Sequence, residues 1–237
     1  MNFLYIFPHP DDESFGPSPA MFQQLQQGHQ VHLLTLTRGG ATKQRFRLNF
    51  SVEEMGNVRV QEMQKVNAIL KLTSMNILDL EDGGLTKINP IELGNIVKEY
   101  IQKTQANIVV TYPQHGISGH FDHLTIHSVT KQVFCELQGN KEFSFLKRLA
   151  FFTLTKPETG VGNPNAKFSA ESEIDCIIKL ELPEINILKE TLHCYETYKD
   201  VIQQLDVINE IGNKVHFEIW NENYKPVIHD LTEHLIL

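Results

Sequence analysis

The chain has 237 residues, 41% of them hydrophobic and 21% charged, with a net charge of −8. That is an ordinary globular composition, large enough for a sizeable core, and it predicts one domain over residues 1–237. The acidic balance argues against non-specific nucleic-acid binding, which needs Lys and Arg to displace phosphate counterions, and against a basic membrane-surface anchor.

Residues 3–7 are an apolar run stopped by Pro8, the pattern of a short buried strand. A helix is expected over 20–27, ending at Gly28, and a second strand over 31–37 that runs into Arg38-Gly39-Gly40. Residues 55–70 carry a helical period, with Val58, Met63, Val66, Ile69 and Leu70 apolar among polar neighbours. A third strand over 75–80 precedes the turn Asp82-Gly83-Gly84, and Pro90 opens a helix over 90–102. The β-branched run 108–112 is a fourth strand stopped by Pro113, followed by a helix over 123–137. This alternation predicts an α/β fold with a mostly parallel, doubly wound sheet flanked by helices. The last hundred residues are less regular, with strands expected over 148–154, 174–180 and 215–220 and a helix over 185–204. The turn-rich stretch 157–166 reads as a mobile loop over the site.

Neither G-x-G-x-x-G nor a P-loop lysine pattern follows a strand, which disfavours a dinucleotide or nucleoside triphosphate site. Cys135, Cys176 and Cys194 are odd in number and far apart, so buried free thiols in a reducing compartment are expected rather than a disulfide framework. No basic n-region and no apolar run of roughly 18–20 residues is visible, so the expectation is a soluble, cytoplasmic protein without a membrane span.

Two clusters carry the chemistry. The first, Pro8-His9-Pro10-Asp11-Asp12-Glu13, directly follows the first strand, where ligands bind beyond the carboxyl ends of strands in open α/β sheets. Three carboxylates and an imidazole would repel one another there unless a cation sits among them, and His nitrogen and Asp oxygen are good zinc ligands. The second, His115-Gly116-Ile117-Ser118-Gly119-His120-Phe121-Asp122-His123, lies just beyond the fourth strand, at the same sheet edge. His115 reads as part of a solvated loop, whereas His120 and His123 read as functional. His9, Asp12 and one histidine of the second cluster would make three ligands and leave a position open, as a catalytic zinc site requires. Asp11, adjacent by sequence, could remove a proton from water. A second-cluster histidine not on the metal could protonate a leaving amine, with Asp122 orienting it. Together these are the parts of a metal-assisted amide hydrolysis site.

The pairing of His9-Pro10-Asp11-Asp12-Glu13 with Gly119-His120-Phe121-Asp122-His123 about 110 residues later resembles the PIG-L/LmbE family of zinc-dependent N-acetylglucosaminyl deacetylases. The resemblance covers most of the first 130 residues and implies a Rossmann-like three-layer sandwich. It implies His9, Asp12 and His123 as ligands of one zinc or another divalent metal and Asp11 as general base. His120 becomes the oxyanion stabiliser or general acid with Asp122 as its partner, and Glu13 holds the loop. Thr35-Leu36-Thr37-Arg38-Gly39, Arg59 with Glu62, and Asp82 match weaker family features. Arg59 reads either as a substrate-pocket residue or as half of a surface ion pair with Glu62 at i+3. The chain departs from the family at Phe121, where proline is usual, and at Tyr198, where glutamine is typical. It departs again at Ser118, where some relatives carry a tyrosine and a serine hydroxyl could donate a hydrogen bond to substrate. The expected activity is removal of acetyl from an N-acetylated amino sugar or its conjugate, a small-molecule substrate, by a chain that relatives suggest as a homo-oligomer. The alternatives are an amidase on a non-sugar N-acyl substrate and a non-catalytic sugar- or metal-binding relative.

Overall fold

The computed structural model describes residues 1–156 and 165–236. The chain opens with β1 (Asn2–Phe7), α1 (Ser18–Gln26) and β2 (Gln30–Thr37). A short α2 (Gln44–Arg47) precedes α3 (Val52–Leu70), β3 (Ser74–Leu80), α4 (Pro90–Thr104) and β4 (Ile108–Thr111). One turn of helix, α5 (Gly116–Gly119), leads into α6 (Phe121–Leu137) and β5 (Arg148–Thr153). The C-terminal part holds β6 (Cys176–Lys179), α7 (Leu182–His193), α8 (Lys199–Leu205), α9 (Val207–Ile211) and β7 (Lys214–Ile219).

Seven strands form one sheet in the order β3-β2-β1-β4-β5-β7-β6, parallel from β3 through β5, with β7 antiparallel to both its neighbours. The expected mostly parallel, Rossmann-like three-layer architecture is what forms. Strand β1 is buried on both faces, as parallel strands covered by helices are. Phe3, Tyr5 and Phe7 face one apolar cluster with α1, α3 and α7, and Leu4 and Ile6 face a second with α4 and α6. The Thr111 hydroxyl donates to the Ile6 carbonyl at 2.8 Å and so ties β4 to β1. The strand order reverses between β1 and β4, the point at which open α/β sheets leave a crevice.

Helix α3 starts before its apolar period does, because Ser51 and Glu54 form a capping box. The Ser51 hydroxyl accepts the Glu54 N–H at 3.1 Å and the Glu54 carboxylate accepts the Ser51 N–H at 2.8 Å. The helix expected over 185–204 is broken. Buried hydrogen bonds draw Tyr195 and Thr197 out of the helical path, from the Tyr195 hydroxyl to Glu13 (2.6 Å) and from the Thr197 N–H and hydroxyl to Glu62 (2.8 and 2.7 Å). Cys176 and Cys194 are buried free thiols as expected, but Cys135 is exposed, on the solvent side of α6. Of the 157–166 stretch, residues 157–164 lie outside the described residues. Among the described residues no helix is long and apolar enough to cross a membrane.

The C-terminal segment is clamped by Arg148, whose guanidinium is fully buried. It bonds both oxygens of Glu222 (2.8 and 2.6 Å), the Tyr224 hydroxyl (2.9 Å) and the carbonyls of Leu231 and Glu233. Burial raises the Glu222 pKa, but hydrogen bonds and charge from Arg148 outweigh it and hold the carboxyl below its usual range. The stabilisation from this pair is therefore complete above the unfolded carboxyl value of about 4.3 and is lost as pH falls through the lower folded value. Glu222→Gln is expected to destabilise the fold by about 1–3 kcal/mol at pH 7. In thermal melts the gap to the wild type should shrink below pH 4; a gap constant with pH would mean the charge is not what matters.

Candidate active site

Apart from Arg59 on α3, the candidate residues sit on the segments that leave the carboxyl edge of the sheet, with Asp122 and His123 in the first turn of α6. His9 to Glu13 follow β1, Asp82 and Gly83 follow β3, and Tyr112 to His123 follow β4. Adjacency of β1 and β4 brings the two sequence clusters together.

The orientation of each imidazole can be read from its outward nitrogen. His123 Nδ1 lies 2.9 Å from the Gly116 carbonyl, which can only accept, so Nδ1 carries the proton and Nε2 turns a lone pair inward. His9 Nε2 lies 3.2 Å from Asp82 Oδ1 and 3.2 Å from Asp122 Oδ2, so Nε2–H donates outward and Nδ1 faces in. The two inward nitrogens are 3.3 Å apart, and the Asp12 carboxylate turns a different oxygen toward each. Its Oδ2 is 3.6 Å from His9 Nδ1 and its Oδ1 is 3.5 Å from His123 Nε2. Donors at the corners of a tetrahedron with bonds of about 2.0–2.1 Å are about 3.3–3.4 Å apart, which is the spacing of the two inward nitrogens. Two facing lone pairs beside a carboxylate need a positive charge among them, and the donor set suits zinc chemically. Burial lowers the His123 pKa to about 4, which keeps its lone pair available.

The cluster is held by a second layer of bonds. Asp12 accepts the His9 backbone N–H (2.8 Å) and the Tyr112 hydroxyl (2.7 Å). The Tyr112 ring also stacks on His123, with centroids 4.1 Å apart and planes 7° from parallel. Tyr112 was not among the candidates read from sequence; its only signal was its position, one residue past the end of β4. Glu13 is fully buried and accepts from the hydroxyls of Ser14 and Tyr195, both at 2.6 Å, consistent with a loop-holding role.

Asp11 adopts a positive φ of 89°, unusual for a residue other than glycine, in the loop beside the metal-type cluster. Its Oδ2 is 2.6 Å from Arg59 Nη2. Burial pushes the Asp11 carboxyl up to about 8, opposed by the Arg59 charge and reinforced by Asp12 and Glu13. A carboxylate near that range is suited to take a proton at neutral pH.

Arg59 is neither exposed nor paired with Glu62. It is 2% exposed and bonds Asp11, the carbonyl of Pro10 and the carbonyl of Gly39, with its guanidinium 4.4 Å from the Tyr198 ring centroid. The i+3 ion pair is replaced because Glu62 is itself buried and bonded to Thr197. Gly39 makes room for this. At its φ of 65°, a Cβ would lie 2.3 Å from Arg59 Nη1.

Asp122 is also placed differently from the expectation. Its buried carboxylate does not partner His120; it accepts from His9 Nε2–H and from the N–H groups of Gly83 (2.8 Å) and Leu85 (3.1 Å). His120 instead caps α6, its Nδ1 accepting the Asp122 N–H at 3.2 Å, which leaves Nε2–H as a donor. The His120 ring stands edge-on to His9, with centroids 4.8 Å apart. Among the described residues two groupings bring three ligand atoms within 4.8 Å, His9 with His120 and His123, and His9 with Asp82 and Asp122. Asp122→Asn is expected to weaken zinc binding about 10- to 100-fold by disturbing the proton on His9, read by competition with a chromogenic chelator. Unchanged affinity would remove Asp122 from the metal site.

Ser118 lines the same cavity, its hydroxyl accepting the His120 N–H at 3.2 Å. It stands on a strained loop, since β-branched Ile117 has φ 56° and ψ −63°, near the rare γ-turn conformation. Phe121, at the usual proline position, is 72% exposed at the start of α6 and leaves the ligand spacing untouched. His115 is half-buried and bonds the Ser169 hydroxyl at 3.1 Å.

A family model described as PIG-L, GlcNAc-PI de-N-acetylase, matches residues 4–134, the part that carries every cluster residue above. The chain is 27% identical over 133 residues to a probable N-acetylglucosaminyl-phosphatidylinositol de-N-acetylase of Schizosaccharomyces pombe, covering 53% of this chain and 49% of that protein. It is 26% identical over 148 residues to a 1D-myo-inositol 2-acetamido-2-deoxy-alpha-D-glucopyranoside deacetylase of Thermomonospora curvata, covering 54% and 50%. The chain thus spans about half the length of these curated relatives. A solved deacetylase of teicoplanin biosynthesis shares the fold with a TM-score of 0.72 at 12% identity, over 92% of this chain and 97% of that one.

Proposed function

Since the chain belongs to the GlcNAc-PI de-N-acetylase (PIG-L) family, we propose that it is a zinc-dependent hydrolase that removes acetyl from an N-acetylated amino sugar or its conjugate. Residues 1–237 act in this reading as one catalytic domain. The observation that carries it is the pair of inward nitrogens, His9 Nδ1 and His123 Nε2, 3.3 Å apart, with one oxygen of Asp12 3.6 Å from the first, the other 3.5 Å from the second, and the carboxylate of neighbouring Asp11 lining the same cavity. His9, Asp12 and His123 hold the metal, which when bound supplies Lewis acidity to a carbonyl and to a water.

The protein's own groups do the remaining work. Asp11 takes the proton from the attacking water as its oxygen adds to the acetyl carbon. Arg59 fixes the Asp11 carboxylate and keeps its charge from being fully lost to burial. His120 Nε2–H donates to the developing oxyanion or to the leaving nitrogen, and the C–N bond then breaks to give acetate and a free amine. Tyr112 and Asp122 orient the ligands from behind.

The test is acetate release from N-acetylglucosamine and its glycosides by the purified full-length chain, with zinc content measured and chelator controls. About one zinc per chain and chelator-sensitive release are expected. Bound zinc without release from any N-acetyl sugar would replace this reading with a binding protein, and release from N-acyl compounds that lack a sugar would move it to a different amidase.

A further inference from the structure

The cavity of about 540 Å³ onto which His9, Asp12 and His123 open is lined by two unlike sets of side chains. Imidazoles and carboxylates come from the loops after β1, β3 and β4. A hydrocarbon wall comes from Phe15, Phe152 and Leu154, with Val201 and Leu205 of α8 and Val207 of α9. None of these six side chains has a polar atom. Tyr198, beside them, has its hydroxyl bonded to Thr42 Oγ1 at 2.5 Å, and Glu210 is the one charged group that α8 and α9 bring to the cavity among the described residues.

Two features keep this wall available. Helix α8 has no fully buried residue: Val201 lies outside the apolar core cluster, and Leu205 packs on the edge of that cluster while staying partly open to the cavity. Gly16 leaves space for the Phe152 ring, since a Cβ there would lie 2.3 Å from Phe152 Cζ and 2.8 Å from Ile211 Cδ1. A hydroxyl placed against such a wall loses its water partners and gains none, whereas an alkyl or aryl group is favoured by leaving water. We propose that this wall is a subsite for an apolar substituent carried by the N-acetylated substrate, with Val201 and Leu205 as specificity-determining residues. This rests on the deacetylase reading above and narrows its substrate class to conjugates with an alkyl or aryl group rather than a polyol.

The probes are the methyl and hexyl β-glycosides of N-acetylglucosamine, offered to the zinc-loaded full-length chain. The hexyl glycoside is expected to show at least tenfold higher kcat/KM, carried by KM, and at least tenfold tighter calorimetric binding with a more negative heat-capacity change. The ratio should fall to threefold or less in Leu205→Gln and in the near-isosteric Val201→Thr, which guards against a folding defect in the first. Equal kcat/KM and equal affinity for the two glycosides in the wild type overturn the subsite, and so does a tenfold ratio that survives in both variants. If neither glycoside releases acetate, the deacetylase reading falls, and the calorimetric comparison still decides the subsite on its own.

Discussion

Asp11→Asn is expected to lower kcat by about 10²- to 10⁴-fold while zinc content and KM stay close to wild type. The substitution is nearly isosteric, so it removes the basic oxygen and the charge facing Arg59 without opening a cavity. Its direct bond is to Arg59 at 2.6 Å, whereas the metal-type donors are His9, Asp12 and His123. That separation makes the experiment informative. Loss of metal together with activity would make Asp11 a ligand rather than a base, and near-wild-type turnover would assign the proton to another group. Initial rates and metal analysis on the same preparation distinguish these outcomes.

The second large effect is expected at His123. His123→Ala should reduce bound zinc from about one per chain to a trace and abolish measurable turnover, because in the proposed site it removes one of three protein ligands. The Gly116 carbonyl loses its imidazole donor and Tyr112 loses the ring stacked at 4.1 Å, so a modest drop in melting temperature should accompany the loss. Full zinc occupancy in this variant would point to His120 as the third ligand, since it comes within reach of His9 and His123.

Strands β1 and β4 were legible because strands buried on both faces are apolar runs, here each stopped by a proline, Pro8 and Pro113. The metal-type cluster was legible because imidazoles and carboxylates crowd two strand ends that the topology makes neighbours. What sequence concealed were pairings set by three-dimensional packing. Arg59 and Glu62 lie at ion-pair spacing, yet α3 buries both, and each finds a partner on a different loop. Asp122 adjoins His120, yet the imidazole takes the capping position, and the carboxylate is left to reach His9, Gly83 and Leu85. Tyr112 could not be told from an ordinary core aromatic. The apolar period over 185–204 ran on through the break at Tyr195 and Thr197, because the carboxylates that cause it, Glu13 and Glu62, are more than a hundred residues away.

The junction of β1 with β4 also bears on how the molecule comes apart. His9 and His123 are 114 residues apart in the chain, and each belongs to a loop that is meaningful only once the two strands have paired. Closing so long a segment is entropically slow, so the donors meet late on the folding route. An ion spanning them would act as a staple between β1 and β4. Its hold would appear as slower unfolding rather than faster folding, because interactions absent from the transition state act on the unfolding limb.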